Sequence, residues 1–274
     1  MSTDDLARHS EWREFDCRHD LGTPGLGEQQ YSKVHIPGAL FAHLDRDLSA
    51  PKSGSNGRHP LPDPATVASW LGKCGVKAGD TVVCYDANNG TMAARLWWLL
   101  RWLGHENVAV LDGGYAKWVE EGRAVTAEIP NFDSCKYQIS SNTEMAVDAS
   151  FVEAHIESEE ILLLDARAPQ RWRGEAEPID PVAGRIPGAM NRFCGENLSP
   201  EGVFKGAEAL RHEFGKILGD RTPQEVVHYC GSGVAACHNA LAMEIAGFPG
   251  SRVYVGSWSE WIADRRRPRA KGPA

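Results

Sequence analysis

The sequence predicts an α/β protein built from two copies of one domain, each a mainly parallel sheet with helices on both faces. Three observations predict it. Four short motifs recur in the same order along the 274 residues. Short apolar runs of strand length alternate with helix-patterned runs in both copies. One such run ends on Cys230, directly before a glycine-rich turn and a helix.

The repeat is read first. Asp16-Cys17-Arg18 returns as Asp165-Ala166-Arg167, and His35-Ile36-Pro37-Gly38-Ala39 as Arg185-Ile186-Pro187-Gly188-Ala189. Val83-Cys84-Tyr85-Asp86 returns as Val227-His228-Tyr229-Cys230. Gly113-Gly114-Tyr115-Ala116-Lys117-Trp118 returns as Gly256-Ser257-Trp258-Ser259-Glu260-Trp261. The offsets are 149, 150, 144 and 143 residues, a drift that fits loop insertions between two copies of one unit. The expected division is a first domain over 8–125, a linker over 126–146 and a second domain over 147–270. The linker reading rests on weak periodicity together with Pro130-Asn131 and Ser140-Ser141-Asn142-Thr143.

In the second copy, 161–164 reads as a short strand ending at Asp165, and 226–229 as another ending at Cys230. Residues 235–246 carry apolar side chains at helical spacing with Gly247 just past the end. A strand follows at 252–255, then a helix through Trp261. In the first copy, 81–85 reads as a strand and 92–103 as a helix ended by Gly104. Short apolar strands between helices imply a parallel sheet covered on both faces. Trp97, Trp98 and Trp102 lie at helical spacing and read as packing residues.

Composition narrows the function. A formal net charge of -8 excludes a broad nucleic-acid surface, which needs clustered Lys and Arg. A small anionic substrate remains compatible, because a few arginines in a cleft override the global charge locally. The first fourteen residues lack the apolar core of a signal peptide. The most apolar runs, 96–100 and 161–164, are too short to span a bilayer. A soluble, cytoplasmic protein without a membrane partner is expected. The seven cysteines are odd in number and scattered, with no paired CxxC spacing. That pattern points to free thiols in a reducing compartment, with no metal and no organic cofactor.

The candidate site is Cys230. In open α/β sheets, ligands bind beyond the carboxyl ends of strands, where Cys230 sits. Gly231-Ser232-Gly233-Val234-Ala235 follow it and lead into a helix. The glycines permit a tight loop with inward N–H groups, and the helix N-terminus adds positive potential. Both favour a thiolate, the nucleophilic form of cysteine, and both would cradle an anionic persulfide.

These residues together resemble the tandem-domain rhodanese family, over about Ser10 to Arg267. The resemblance implies a sulfurtransferase in which only the second domain carries sulfur. Asp86 holds the matching place in the first copy, and a carboxylate forms no persulfide, so that copy is expected to be silent. Cys230-Gly231-Ser232-Gly233-Val234 resembles the mercaptopyruvate-preferring group of the family, whereas thiosulfate-preferring members of animal type carry basic residues after the cysteine. In the mercaptopyruvate group the loop serine joins a Ser-His-Asp relay, which maps here onto Ser232, His59 and Asp45. Substrate arginines map onto Arg171 and, nine residues later, onto Asp180, which departs from the pattern. Arg185 is expected to supply the missing cation. The resemblance implies a small-molecule donor, 3-mercaptopyruvate or alternatively thiosulfate. It implies a thiol, thioredoxin or cyanide as acceptor.

Two other classes are disfavoured. Phosphatases with a related cysteine loop need an arginine six positions on, and Ala236 stands there. A passive binding or sulfur-relay module fits the first copy better than the intact second one. Cys237, two turns into the helix, reads as a buried thiol. Residues 265–269 form a basic run read as a solvated end.

Overall fold

The computed structural model of the chain describes residues 1–156 and 158–273. They form two compact units, Met1–Ala50 with Pro62–Asn142, and Pro51–Leu61 with Thr143–Ala274.

The first unit runs α1 Thr3–Ala7, β1 Arg13–Asp16, α2 Leu26–Lys33, β2 Leu40–Phe41, α3 Pro64–Lys73, β3 Val82–Tyr85, α4 Ala93–Trp102, β4 Val108–Val110 and α5 Gly114–Glu120. Its four strands pair in parallel in the order β2-β1-β3-β4. The second unit runs β5 Ala146–Val147, α6 Ala149–His155, β6 Leu162–Asp165, α7 Pro169–Arg173, β7 Met190–Asn191, α8 Ala207–Leu218, β8 Val226–Tyr229, α9 Val234–Ile245, β9 Arg252–Tyr254 and α10 Ser257–Trp261. Its five strands pair in parallel in the order β5-β9-β8-β6-β7. The repeat is therefore structural: β1, β3 and β4 have counterparts in β6, β8 and β9.

Every residue of β3, β6 and β8 is buried, which is why these strands read as continuous apolar runs rather than alternating ones. In the second unit the two sheet faces are distinct. Leu163, Val227, Tyr229 and Tyr254 meet Ala149 and Val152 of α6 and Trp258 and Trp261 of α10. Leu162, Leu164 and Val226 meet Leu210, Phe214 and Leu218 of α8 and Ala242 and Met243 of α9. Helix α10 has five residues, too few to be helical by itself. Burial of Trp258 and Trp261, at about 1.5–3 kcal/mol per large side chain, holds it to the sheet.

Residues 126–142, expected as a linker, belong to the first unit. The Thr126 N–H donates to His35 O at 2.9 Å, Cys135 N–H to Gly72 O at 2.8 Å and Ser140 N–H to Leu103 O at 3.0 Å. These bonds go to helix ends and turns, so the segment is ordered without any periodicity of its own. Pro51–Leu61, read as part of the first copy, groups with the second unit.

His228 lies on β8 and is fully buried, with Nε2 3.2 Å from Met243 Sδ. No hydrogen-bond partner for Nδ1 occurs among the described residues. Burial pushes its pKa down to about 3 from an ordinary 6.5. Between those values the unfolded chain binds a proton that the folded chain refuses. Stability from this residue is complete above pH 6.5 and is lost progressively as pH falls toward 3. At about 1.4 kcal/mol per pH unit, acidification from pH 6.5 to 5 costs about 2 kcal/mol. Urea unfolding at both pH values should show His228→Leu losing about that much less than the parent chain.

Among the described residues no helix is long and apolar enough to cross a membrane.

Candidate active site

Strand β8 delivers Cys230 to its carboxyl end, beside the Asp165 end of β6. The residue is 3% exposed. Its N–H donates to Ser257 Oγ at 3.1 Å, and Ser257 Oγ donates onward to Tyr254 O at 2.8 Å. The carbonyls of Cys230 and Gly231 accept from Trp258 N–H at 3.0 Å and Ser259 N–H at 2.9 Å. The loop is thus sewn to the β9–α10 turn on one edge. On the other edge, Gly233 N–H donates to Cys230 Sγ at 3.1 Å. Gly233 has φ +83°, and a Cβ there would collide with the Val255 carbonyl, so no other residue builds this turn without strain. Val234 and Ala235 open α9, whose first N–H groups have no helical acceptor and add positive potential at the sulfur.

The first unit shows what this loop geometry binds. After β3, Asp86 occupies the place of Cys230 and is 2% exposed. Its Oδ1 accepts from Asn88 N–H at 3.1 Å and Gly90 N–H at 3.0 Å. Its Oδ2 accepts from Met92 N–H at 2.8 Å and Ala93 N–H at 3.3 Å. The loop is an anion cradle, filled here by the chain's own carboxylate and in the second unit by a sulfur.

Ser232 and His59 meet. Ser232 Oγ lies 2.8 Å from His59 Nδ1, and both residues are buried. His59 reaches this place because Pro51–Leu61 docks on the second unit. Gly57, at φ +84°, leaves no side chain between itself and Gly256 O, and Arg58 N–H donates to Ser259 Oγ at 3.0 Å. Asp45, the third member of the expected relay, belongs to the first unit, in a turn where its N–H donates to His43 Nδ1 at 3.1 Å.

Arg171 projects from the short helix α7. Its Nε and Nη2 bind Glu177, with Nη2–Oε1 at 2.7 Å, and Nη2 also reaches Asp180 Oδ2 at 3.0 Å. Glu177 in turn accepts from Arg167 at 3.3 Å, and Arg167 binds Asp165 with two parallel bonds. Asp180 takes a second arginine that the sequence did not suggest, Arg58, by an ion pair. A Cβ placed on Gly231 would lie 2.7 Å from Arg58 Nη2 and 3.4 Å from Arg171 Nη2. Both guanidinium groups therefore border the Cys230 loop.

Arg185 is the correction. Its backbone bridges Ala270, with N–H···O bonds of 2.9 Å in each direction. Its guanidinium stacks over Trp172 at 4.1 Å and donates to Gly272 O at 2.6 Å and Pro273 O at 3.2 Å. It pins the returning C-terminal segment rather than facing the cysteine loop. The repeat carried that signal, because His35 pins 126–128 in the first unit by the same backbone bridge and a ring bond to Glu128 O at 3.0 Å. The basic run is exposed at Arg265 and Arg266 as expected of a solvated end, but the chain through and beyond it is tied back by its backbone, with Trp261 Nε1 donating to Pro268 O at 2.8 Å and Ala270 bridged to Arg185.

Neighbouring thiols are poor nucleophiles. Burial, reinforced by the nearby Cys230, pushes the Cys194 thiol up to about 12. Cys237 is fully buried and donates to Gly233 O at 3.1 Å, bracing the loop. Among the described residues all seven cysteines are free, and no group of three metal-ligating side chains occurs.

A cysteine cradled between a parallel strand and a helix, with a carboxylate in the same cradle one repeat earlier, defines the class: the chain belongs to the rhodanese-like domain family, whose model matches residues 2–121 and 148–264. Among curated proteins it is 49% identical to a probable 3-mercaptopyruvate sulfurtransferase of Pseudomonas aeruginosa, across 94% of this chain and 92% of that one. It is 37% identical to the putative thiosulfate sulfurtransferase SseB of Mycobacterium tuberculosis, across 95% and 91%. Among solved structures, 3-mercaptopyruvate sulfurtransferase from Leishmania major superposes with a TM-score of 0.86 at 29% identity, covering 98% of this chain and 75% of that one.

Proposed function

We propose that this chain is a sulfurtransferase that moves sulfur from 3-mercaptopyruvate through a Cys230 persulfide to a thiol, thioredoxin or cyanide. The observation that carries the reading is the Cys230 sulfur in its N–H cradle with the Ser232–His59 pair beside it.

The Cys230 thiolate attacks the donor sulfur. The S–S bond forms as the C–S bond breaks, and that electron pair leaves on carbon as the enolate of pyruvate. The proton of the donor thiol ends on that carbon, and Ser232 Oγ and His59 Nδ1 form a path for it. Arg171 holds the donor carboxylate. The outer sulfur of the persulfide takes the N–H groups of Gly231, Ser232, Gly233, Val234 and Ala235 in place of water. An acceptor thiolate or cyanide then attacks the outer sulfur, the S–S bond breaks, and Cys230 thiolate is regenerated. Two half-reactions of this kind give ping-pong kinetics.

Thiosulfate is the competing donor, favoured by Asp180 at the place of the second family arginine. Initial rates on both donors with cyanide as acceptor decide between them. The expected result is a kcat/KM at least about tenfold higher for mercaptopyruvate, a difference of about 1.4 kcal/mol. Faster turnover of thiosulfate would overturn the donor assignment and leave the persulfide chemistry standing.

A further inference from the structure

We infer that the first unit holds a binding site for a small organic cation with an apolar body, built around the Glu14 carboxylate. The site lies in the unit without the sulfur-carrying cysteine and does not depend on which donor that cysteine uses.

Glu14 sits on β1, two residues before Asp16. By the repeat offset of 149 its counterpart in the second unit is Leu163, which packs in the apolar core with α6 and α10. The sheet therefore accepts leucine at this place and has no need of a carboxylate. Glu14 is 5% exposed. A buried carboxylate is costly unless a cation or hydrogen-bond donors meet it. Among the described residues no side chain does so, and only its own backbone N–H offers it a bond. The adjacent cation, Arg13, points to the opposite face of the strand and lies over the Phe132 ring at 3.5 Å.

The carboxylate instead borders a cavity of about 400 Å³ whose apolar walls include Leu6, Ile36, Pro37 and Trp118. Gly38, at φ +85°, leaves room for it: a Cβ there would lie 3.2 Å from Glu14 Oε2. In the second unit the matching glycine, Gly188, has the Ile156 carbonyl at that same 3.2 Å, and the Ile156 side chain packs against the core. Main chain thus takes in the second unit the place that the Glu14 carboxylate takes in the first.

Charge selects the occupant. Among the described residues Arg123 is the other charged residue lining the cavity, and it does not neutralise Glu14. Its Nη2 pairs with Asp4 at 2.5 Å and its Nε with Glu121 at 2.6 Å. Helix α1 turns Leu6 and Ala7 to the cavity, and His35, before the Pro37 turn, has both ring nitrogens on the carbonyls of Tyr31 and Glu128. Glu11 adds a further negative charge nearby. The balance at Glu14 is negative, in an apolar enclosure where a charge pair is strong. An ammonium group supplies the missing partner, and its hydrocarbon body covers the wall of Leu6, Ile36 and Trp118. Burial pushes the Glu14 carboxyl up to about 7. A bound cation therefore competes with a proton: below pH 7 the carboxyl must first lose it, and above pH 7 it is already ionised.

Isothermal titration calorimetry with phenethylammonium tests the site, beside 2-phenylethanol and 3-phenylpropionate, which keep the apolar body and change the charge. The ammonium should bind at one site with a Kd below about 1 mM at a pH of about 8. The alcohol should bind at least about tenfold more weakly, and the anion more weakly still. An alkylammonium stays protonated throughout, so lowering the pH from about 8 to about 6 should weaken it about tenfold through Glu14 alone. Glu14→Gln removes the charge and keeps the shape, and Glu14→Leu installs the second unit's own solution; thermal unfolding checks that both are folded. Each should bind phenethylammonium at least about tenfold more weakly, with no dependence on pH over that range. Absence of binding to the parent chain at about 10 mM ligand, equal binding of the alcohol, or undiminished binding to folded Glu14→Gln would overturn the assignment.

Discussion

Cys230→Ser is expected to keep the fold and lose sulfur transfer, by at least about four orders of magnitude on either donor. The substitution leaves Ser257, Gly233 and the β9–α10 turn able to hold the loop, so the thermal midpoint should move little. What goes is the atom that accepts sulfur. No second thiol replaces it. Cys194 is held protonated by burial, Cys237 is fully buried beneath the loop, and the first unit offers Asp86 in place of a thiol. Initial-rate assays at high enzyme concentration, paired with thermal unfolding, check both halves. A variant that retains a few per cent of activity would place the sulfur elsewhere.

The second large effect is expected at the Ser232–His59 pair. His59→Ala and Ser232→Ala should each slow persulfide formation from mercaptopyruvate by about 10²–10⁴-fold, the span of a positioned proton-transfer group. The double variant should fall little below the worse single one, because groups acting in one path are not additive. Discharge of a persulfide already formed involves no carbon acid, so cyanide should remove it at the parental rate. Quenched single-turnover measurements of the two half-reactions separate these steps. Equal slowing of both would mean that the pair shapes the loop and moves no proton.

Much of this was legible in the sequence. Strand–helix alternation was readable because the strands are buried on both faces and therefore unbroken apolar runs. Cys230 was readable because a strand end, two glycines and a helix start lie within a few residues of one another. Ser232 with His59 was readable only through family resemblance, and the 2.8 Å contact gives it a physical basis. Other features were hidden for one reason: they are tertiary. Arg58 and Asp180 are 122 residues apart, and neither has a local pattern that names the other. Arg185 was misplaced because its position beside Ile186-Pro187-Gly188 is right for a cation while its side chain turns toward the tail. Residues 126–142 lack periodicity because they bond to the edges of other elements.

The central claim is that Cys230 carries the transferred sulfur, and intact mass spectrometry tests it most directly. The chain is exposed to excess mercaptopyruvate without acceptor, desalted and weighed, then treated with cyanide and weighed again. The account predicts one added sulfur atom, mapped to the peptide containing Cys230, absent in Cys230→Ser and removed by cyanide. No adduct on a chain that turns over mercaptopyruvate, or an adduct that survives in Cys230→Ser, would contradict it.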